Sequence, residues 1–275
     1  MLVDTHAHLS DAQFDADRDE VLRRAFDGGV GAVVEIADNE DEWPKARALA
    51  ERYPDRVFWT GGVHPHYADS TRPDYQWRLR EALKHPQAVA LGEIGLDYYK
   101  SRVDRYQQQR VLFDLLQAAA DIDKPVVIHC RESDASSRAA QEDLLALFKS
   151  FYTMSPGAPV PVRGVLHCFQ GHPDIARACI EMGFYVGVDA PITYPNAGSL
   201  RDLMRELPLD RIVLETDSPY LPPREKRGRR NEPSYIGSVC EELARIKAVS
   251  PEEAARQTTA NAEALYRIRV AKNAS

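Results

Sequence analysis

The sequence predicts an α/β fold, a (β/α)8 TIM barrel, on three observations. Eight short apolar, β-branched runs alternate with longer amphipathic stretches. A repeated strand-then-helix order requires successive strands to run parallel. Eight such repeats in 275 residues suit a closed ring, since barrels of this kind run to about 250 residues as one domain. The expectation is one domain over residues 1–275. An open doubly wound sheet competes, but there is no Gly-x-Gly-x-x-Gly turn after the first strand and no Gly-x-x-x-x-Gly-Lys loop, so a nucleotide cofactor is not expected.

Strand one is read at Met1–Val3, with a helical stretch at Asp15–Gly28. Strand two, Gly31–Ala37, and strand three, Val57–Val63, are Val-rich and flank the helix Glu40–Tyr53. Pro73–Leu83 leads to strand four, Ala88–Gly92. The next helix, Arg105–Asp121, is the clearest: Val111, Leu112, Leu115, Leu116 and Ala119 recur at helical spacing and leave Asp114 and Gln117 on the other side. Strand five (Pro125–Ile128), helix Ser136–Ser150, strand six (Val162–Leu166), helix Pro173–Met182, strand seven (Phe184–Val188), helix Ser199–Leu207 and strand eight (Arg211–Glu215) complete the eight repeats. Thr153–Pro161, with three prolines, reads as an enlarged loop before strand six. Two more helices follow near Tyr235–Ala248 and Ser250–Arg269; Ser250-Pro251-Glu252-Glu253 supplies a capping hydroxyl, a proline at the first helical position and an early Glu.

Composition narrows the function classes. No run approaches the ~18 apolar residues of a membrane helix, and no basic-then-apolar leader opens the chain, so neither a membrane nor export is expected. Four Cys, at 130, 168, 179 and 240, form no Cys-x-x-Cys pair and no disulfide framework, which suits a reducing cytoplasm. With 35 Lys plus Arg against 42 Asp plus Glu, the net charge of −7 gives no general attraction to phosphate. Any phosphate binding must be local.

In a barrel the chemistry sits where strands run out into the following loops. Strand one ends in Asp4-Thr5-His6-Ala7-His8, strand three in Gly62-Val63-His64-Pro65-His66 and strand four in Gly92-Glu93-Ile94-Gly95. Strand five ends in His129-Cys130-Arg131-Glu132, strand six in His167-Cys168-Phe169 and strand eight in Glu215-Thr216-Asp217-Ser218-Pro219. Six of the eight His fall at these ends; His85 and His172 do not. A lone His-x-His is commonly a satisfied surface or core pair. Six costly polar groups at one end of a barrel are not explained that way.

Alternation along extended chain puts His6 and His8 on one face. It turns Val127, His129 and Arg131 one way and Cys130 the other, and Val165, His167 and Phe169 one way and Cys168 the other. Cys130 and Cys168 should therefore face the helices as small apolar fillers and not as thiolate ligands. The inward ligands are His6, His8, Glu93, His129, His167 and Asp217, enough for two divalent metal ions that share Glu93, with Zn, Mn, Co or Mg as candidates. His6, His8, Glu93 and Asp217 would hold one ion, and Glu93, His129 and His167 the other.

Two such ions would outweigh the charges of Glu93 and Asp217 and leave the mouth positive by about two charges. Paired metals activate water towards a pKa of ~7 and clamp both oxygens of an in-line displacement, equipment suited to phosphodiester hydrolysis. Asp217 is the candidate general base, with Glu93 as the other catalytic carboxylate. His64, His66 and Arg131 are candidates for phosphate oxygens or the leaving group, or for orienting a ligand. Arg224, Lys226, Arg227, Arg229 and Arg230 crowd five positive residues into seven positions. They read either as a solvated loop or as a grip on a nucleic-acid backbone, with Arg229 a substrate contact. Tyr98 and Tyr99 either stack on bases or sit against the barrel rim. A hydrolase of small cyclic amides or esters, and a metal-containing nucleic-acid-binding module without catalysis, are the alternatives.

These motifs resemble those of the TatD family of metal-dependent deoxyribonucleases, amidohydrolase-like TIM barrels of the metal-dependent hydrolase type. Besides the strand ends, the resemblance rests on Leu96-Asp97-Tyr98-Tyr99, Pro219-Tyr220-Leu221 and Arg227-Gly228-Arg229-Arg230-Asn231-Glu232-Pro233, and it covers nearly the whole chain. It implies a cytoplasmic metal-dependent enzyme that cuts DNA, most often from a 3′ end of a single strand, with endonuclease activity and DNA repair within its range. Its metal positions match His6, His8, Glu93, His129, His167 and Asp217, and its phosphate-contacting histidine matches His64. The chain departs from the family pattern at Gln170-Gly171-His172, at Pro195 and in the long Thr153–Pro161 loop.

Overall fold

A computed structural model describes residues 1–134, 136–154 and 162–270, with 153 and 154 described in backbone only. The loop expected at Thr153–Pro161 thus falls, from 155 onward, outside the described residues. Among them, eight strands alternate with helices: β1 (Leu2–Ala7), α1 (Arg18–Asp27), β2 (Val30–Ala37), α2 (Trp43–Arg52), β3 (Val57–Gly61), α3 (Tyr75–Ala82), β4 (Ala88–Asp97) and α4 (Arg105–Asp121). The second half continues with β5 (Val126–Arg131), α5 (Ala139–Met154), β6 (Gly164–Leu166), α6 (Pro173–Glu181), β7 (Tyr185–Val188), α7 (Gly198–Glu206), β8 (Ile212–Leu214), α8 (Ile236–Lys247) and α9 (Pro251–Tyr266). The strands pair in parallel in the order β1 to β8. His8 N donates to Ser218 O at 2.7 Å and Asp217 N to His6 O at 2.9 Å, which joins the last strand's exit to the first and completes the TIM barrel.

The expected elements recur with small shifts. Asp11 Oδ1 accepts from Gln13 N at 2.8 Å and folds residues 12–14 into a 3-10 turn, so α1 starts at Arg18 and not at Asp15. The cap read at Ser250 forms, with Glu253 N donating to Ser250 Oγ at 3.1 Å. Strands β1, β4 and β5 run on to Ala7, Asp97 and Arg131, so much of the polar cluster lies on the strands themselves.

Strand side chains separate into two clusters. Leu91, Ile94, Ile128, Leu166 and Leu214 pack outward under the helices, while Val34, Ile36, Val127, Val165 and Val213 fill the lower interior. Leu265 and Tyr266 of α9, with Ile268 and Val270 beyond it, close that floor. No helix among the described residues is long and apolar enough to cross a membrane.

Candidate metal centre

Strict alternation from Val3, which lies inside the barrel, would turn His6 towards the helices. The register prevents this: Asp4 pairs with Val33 and Ala7 with Glu35, so three steps on β1 match two on β2. The extra residue is a bulge that reverses the parity, putting Ala7 in the outer cluster and His6 inside. A second bulge acts on β4, where Leu91 pairs with Val126 and Ile94 with Ile128. Both apolar residues stay outside and Glu93 turns in. His129 and His167 need no such device, since each lies two residues beyond an interior valine. At Gly95 a Cβ would meet His129 O at 1.8 Å, so only glycine lets β4 and β5 approach this closely.

The six expected ligands converge. His6 Nε2 lies 3.2 Å from His8 Nε2, 3.4 Å from Glu93 Oε2 and 3.8 Å from Asp217 Oδ1. His8 Nε2 is 3.5 Å, and His167 Nε2 3.8 Å, from the same Asp217 oxygen. The His6 and His167 rings stack with centroids 3.4 Å apart. Glu93 turns its other oxygen, Oε1, to His129 Nδ1 at 2.7 Å. His167 is thus grouped with His6 and Glu93, not with His129 as the sequence suggested, and His129 is grouped with Glu93 and His64.

This donor set suits a cation. A neutral imidazole nitrogen offers one proton or one lone pair, so His6 Nε2 cannot satisfy one facing nitrogen and two facing carboxylate oxygens by hydrogen bonding alone. Nitrogen and carboxylate oxygen around a shared point are the ligands of Zn, Mn, Co or Mg. The electrostatics agree. Burial opposes charge on Glu93, but the His167 and His6 imidazoles hold its carboxyl well below the usual range. Burial likewise opposes protonation of His8, and Asp38, Asp217 and Glu93 overcome it to raise His8 to about 10. His129 is raised to about 9 against its burial by Asp97 and Glu93.

Residues 3–267 match the family described as TatD related DNase. The chain belongs to this family. It is 37% identical over 269 residues to the uncharacterized metal-dependent hydrolase YabD of Bacillus subtilis, covering 98% of this chain and 100% of that protein. It is 36% identical over 273 residues to the 3′-5′ ssDNA/RNA exonuclease TatD of Pantoea vagans, covering 97% and 100%. The crystal structure of YJJV, a TatD homologue of Escherichia coli K12, superposes with a TM-score of 0.87 at 29% identity over 98% of both chains. The chain is therefore an enzyme, a metal-dependent hydrolase.

Around the TatD-type cluster stand carboxylates that the strand-end motifs did not single out. Asp97, two residues past Gly95, accepts from Tyr99 N and Lys100 N through Oδ1 and faces His66 Nε2 at 3.1 Å and His129 Nε2 at 3.2 Å through Oδ2. Glu215 Oε1 lies 3.0 Å from His167 Nδ1, in space that a Cβ on Gly187 would take, at 2.5 Å from the carboxylate. Asp38, at the end of β2, is 3.8 Å from His8 Nδ1. Each lies on the inward parity of its strand, and that signal alone would have found them.

Several expectations need correction. Cys130 does pack against the outer cluster, but Cys168 does not: its Sγ lies 3.0 Å from Asp189 Oδ2. Phe169 takes the outer position instead. β6 ends at Leu166, and Cys168 adopts φ +45°, which interchanges the two side chains. Both thiols are pushed well up by burial, so neither is a thiolate. Arg230 is no free cation; its guanidinium takes both oxygens of Asp17 at 2.7 and 2.8 Å and lies over Phe14. Arg227 lies over Tyr194, while Arg229 is exposed. Tyr98 is buried and donates to Asp143 at 2.7 Å, whereas Tyr99 is 58% exposed with the Arg131 guanidinium 4.7 Å above its ring.

Proposed function

We propose that the chain is a divalent-metal-dependent exonuclease that removes nucleotides from the 3′ end of single-stranded DNA, acting as one catalytic domain over residues 1–275. The observation that carries this reading is Glu93: its two oxygens face two separate nitrogen groups, Oε2 to His6 and Oε1 to His129, the posture of a carboxylate shared by two ions. His6, His8, Glu93 and Asp217 would hold one ion, with His167 beside it, and Glu93 and His129 would hold the other. The name of the Pantoea vagans relative, a 3′-5′ ssDNA/RNA exonuclease, supports a single-stranded nucleic acid as substrate and the polarity.

When bound, two divalent cations of Mg, Mn, Zn or Co supply charge against the phosphate and bring water towards a pKa of about 7. Asp217, which its imidazole neighbours hold below the usual carboxylate range against its burial, is ionised and placed to take the proton of the attacking water. The water oxygen bonds to phosphorus, the P–O3′ bond breaks, and the released 3′ oxygen takes a proton from solvent. His64 Nδ1 accepts from His66 N at 3.2 Å, so the neutral ring carries its proton on Nε2. Its burial, with His129 alongside, holds it neutral, and the Nε2–H is a donor for a phosphate oxygen and not a ligand. The stacked Arg131 and Tyr99, the 46% exposed Tyr220, whose ring centroid is 5.8 Å from that of His8, and the exposed Arg229 offer rings to unpaired bases and charge to the backbone. His66 lies beside them against Asp97.

The test uses end-labelled single-stranded DNA. Shortening from the 3′ end, abolished by chelator and restored by Mg or Mn, is expected. A blocked 3′ end should stop it. Opening of cyclic amides with DNA left intact, or retention of DNA without cleavage, would replace this reading with one of its two alternatives.

A further inference from the structure

Each imidazole of the centre has two nitrogens, and the one turned away from the ions needs a partner to fix the ring. His129 has a hydrogen-bond partner there, Asp97 at 3.2 Å from Nε2, and His167 has an ion-pair contact, Glu215 at 3.0 Å from Nδ1, without hydrogen-bond geometry. His6 Nδ1 is buried with no hydrogen-bond partner among the described residues. His8 is the remaining case. Its Nε2 faces His6 and Asp217, so as a neutral ligand it must carry its proton on Nδ1. The group in front of Nδ1 is Asp38, with Oδ2 3.8 Å away.

Asp38 is built to wait there. Its backbone is held on both sides, the N–H donating to Glu42 Oε2 at 2.9 Å and the carbonyl accepting from His64 N at 2.9 Å. Glu42 is itself fixed, since Asn39 Nδ2 donates to its Oε1 at 2.8 Å. The carboxylate is free by contrast: Oδ1 is buried without a hydrogen-bond partner among the described residues. A buried acceptor left unpaired costs free energy that a nearby N–H removes. A shift of under about 1 Å brings Oδ2 and Nδ1 to the usual 2.7–3.2 Å.

We infer that Asp38 is the positioning residue for His8, accepting the Nδ1 proton and so aiming Nε2 at the ion. This rests on the reading of His8 as a ligand given above. Outer carboxylates of this kind fix the tautomer and strengthen the ligand, and their removal weakens metal binding by about 10–100-fold. Asp38 also joins the two halves of the mouth, because its carbonyl holds the backbone of His64 while its side chain addresses His8.

Calorimetric titration of the full chain with Mn2+ tests it. Asp38→Ala should weaken binding by about 10–100-fold. Asp38→Asn, whose amide oxygen still accepts the proton, should restore most of that loss. Asn as weak as Ala would make Asp38 a ligand and overturn the positioning role, as would two variants that bind like wild type. A second readout needs no variant: in Zn2+-loaded protein with 15N-labelled histidine, His8 should show an Nδ1–H tautomer, and a proton on Nε2 would overturn the inference. Wild-type protein that takes up no Mn2+ would instead overturn the ligand reading itself, an outcome distinct from the others.

Discussion

On β5 the interior positions are Val127 and then His129; on β6 they are Val165 and then His167; on β8, Val213 and then Glu215. Two residues, about 6.6 Å along a strand, separate a dry floor from a mouth filled with ionisable groups. The floor stabilises the barrel by removing apolar surface from water. The mouth does the reverse, since every carboxylate held there without full compensation raises the energy of the folded chain. The comparison teaches that the chemistry is carried by the end of the barrel that contributes least to holding it together.

Substitutions at the two ends should therefore separate activity from stability. The largest effect is expected from Glu93→Gln, which removes the carboxylate facing both nitrogen groups. Calorimetry should show Mn2+ uptake lost, and the rate on single-stranded DNA should fall below that of any other change at the mouth, with the melting temperature not lowered. Asp217→Asn should reduce the rate by roughly 10²–10⁴-fold with an unchanged circular dichroism spectrum, and full activity would remove its role as base. At the floor, Leu265→Ala should cost about 2–5 kcal/mol in urea unfolding while the rate per folded molecule stays the same. A loss of rate without a loss of stability there would break the separation.

Smaller effects on activity sharpen it. Tyr99→Ala should raise KM for single-stranded DNA by on the order of 10-fold, from the loss of one stacking platform. Hydrolysis of a small aryl phosphodiester should be untouched, and a parallel fall in both would deny the ring a contact with bases. Asp189 probes the mouth without touching an expected ligand. Burial, and then Glu215, pushes its carboxyl up to about 8. Its proton is held more tightly in the folded chain, so its contribution to stability is whole below about pH 4 and is lost as pH rises through about 8. Asp189→Asn should gain on wild type by roughly 3–4 kcal/mol between pH 5 and pH 8, about 1.4 kcal/mol per pH unit. Urea midpoints that stay parallel across that range would place the charge elsewhere.

The barrel was legible because its signals are local: β-branched runs, helical periodicity and a cap such as Ser250 need no knowledge of the rest of the chain. The convergence of His6, His8, Glu93, His129, His167 and Asp217 was legible for the same reason, as polar residues at strand ends. Asp38 and Asp189 were equally open to it, two residues beyond Ile36 and Gly187, but β2 and β7 end in no histidine that marks them. Other features were hidden in principle. A bulge depends on the pairing of two strands, so nothing in Asp4–Ala7 alone says that parity reverses there. The exchange of Cys168 and Phe169 depends on one left-handed backbone angle. Arg230 reads as part of a basic run because its partner, Asp17, lies 213 residues away in sequence.

The closure of the floor by Leu265, Tyr266, Ile268 and Val270 bears on how a long polymer can be handled. A well sealed at the bottom offers no way to thread a strand through. On the proposed reading a nucleic acid would come and go by the same opening, and whatever is released would back out past the incoming chain. For the proposed exonuclease, such a vessel would suit a terminus dipped in and trimmed, one short piece at a time, better than a strand drawn along a tunnel.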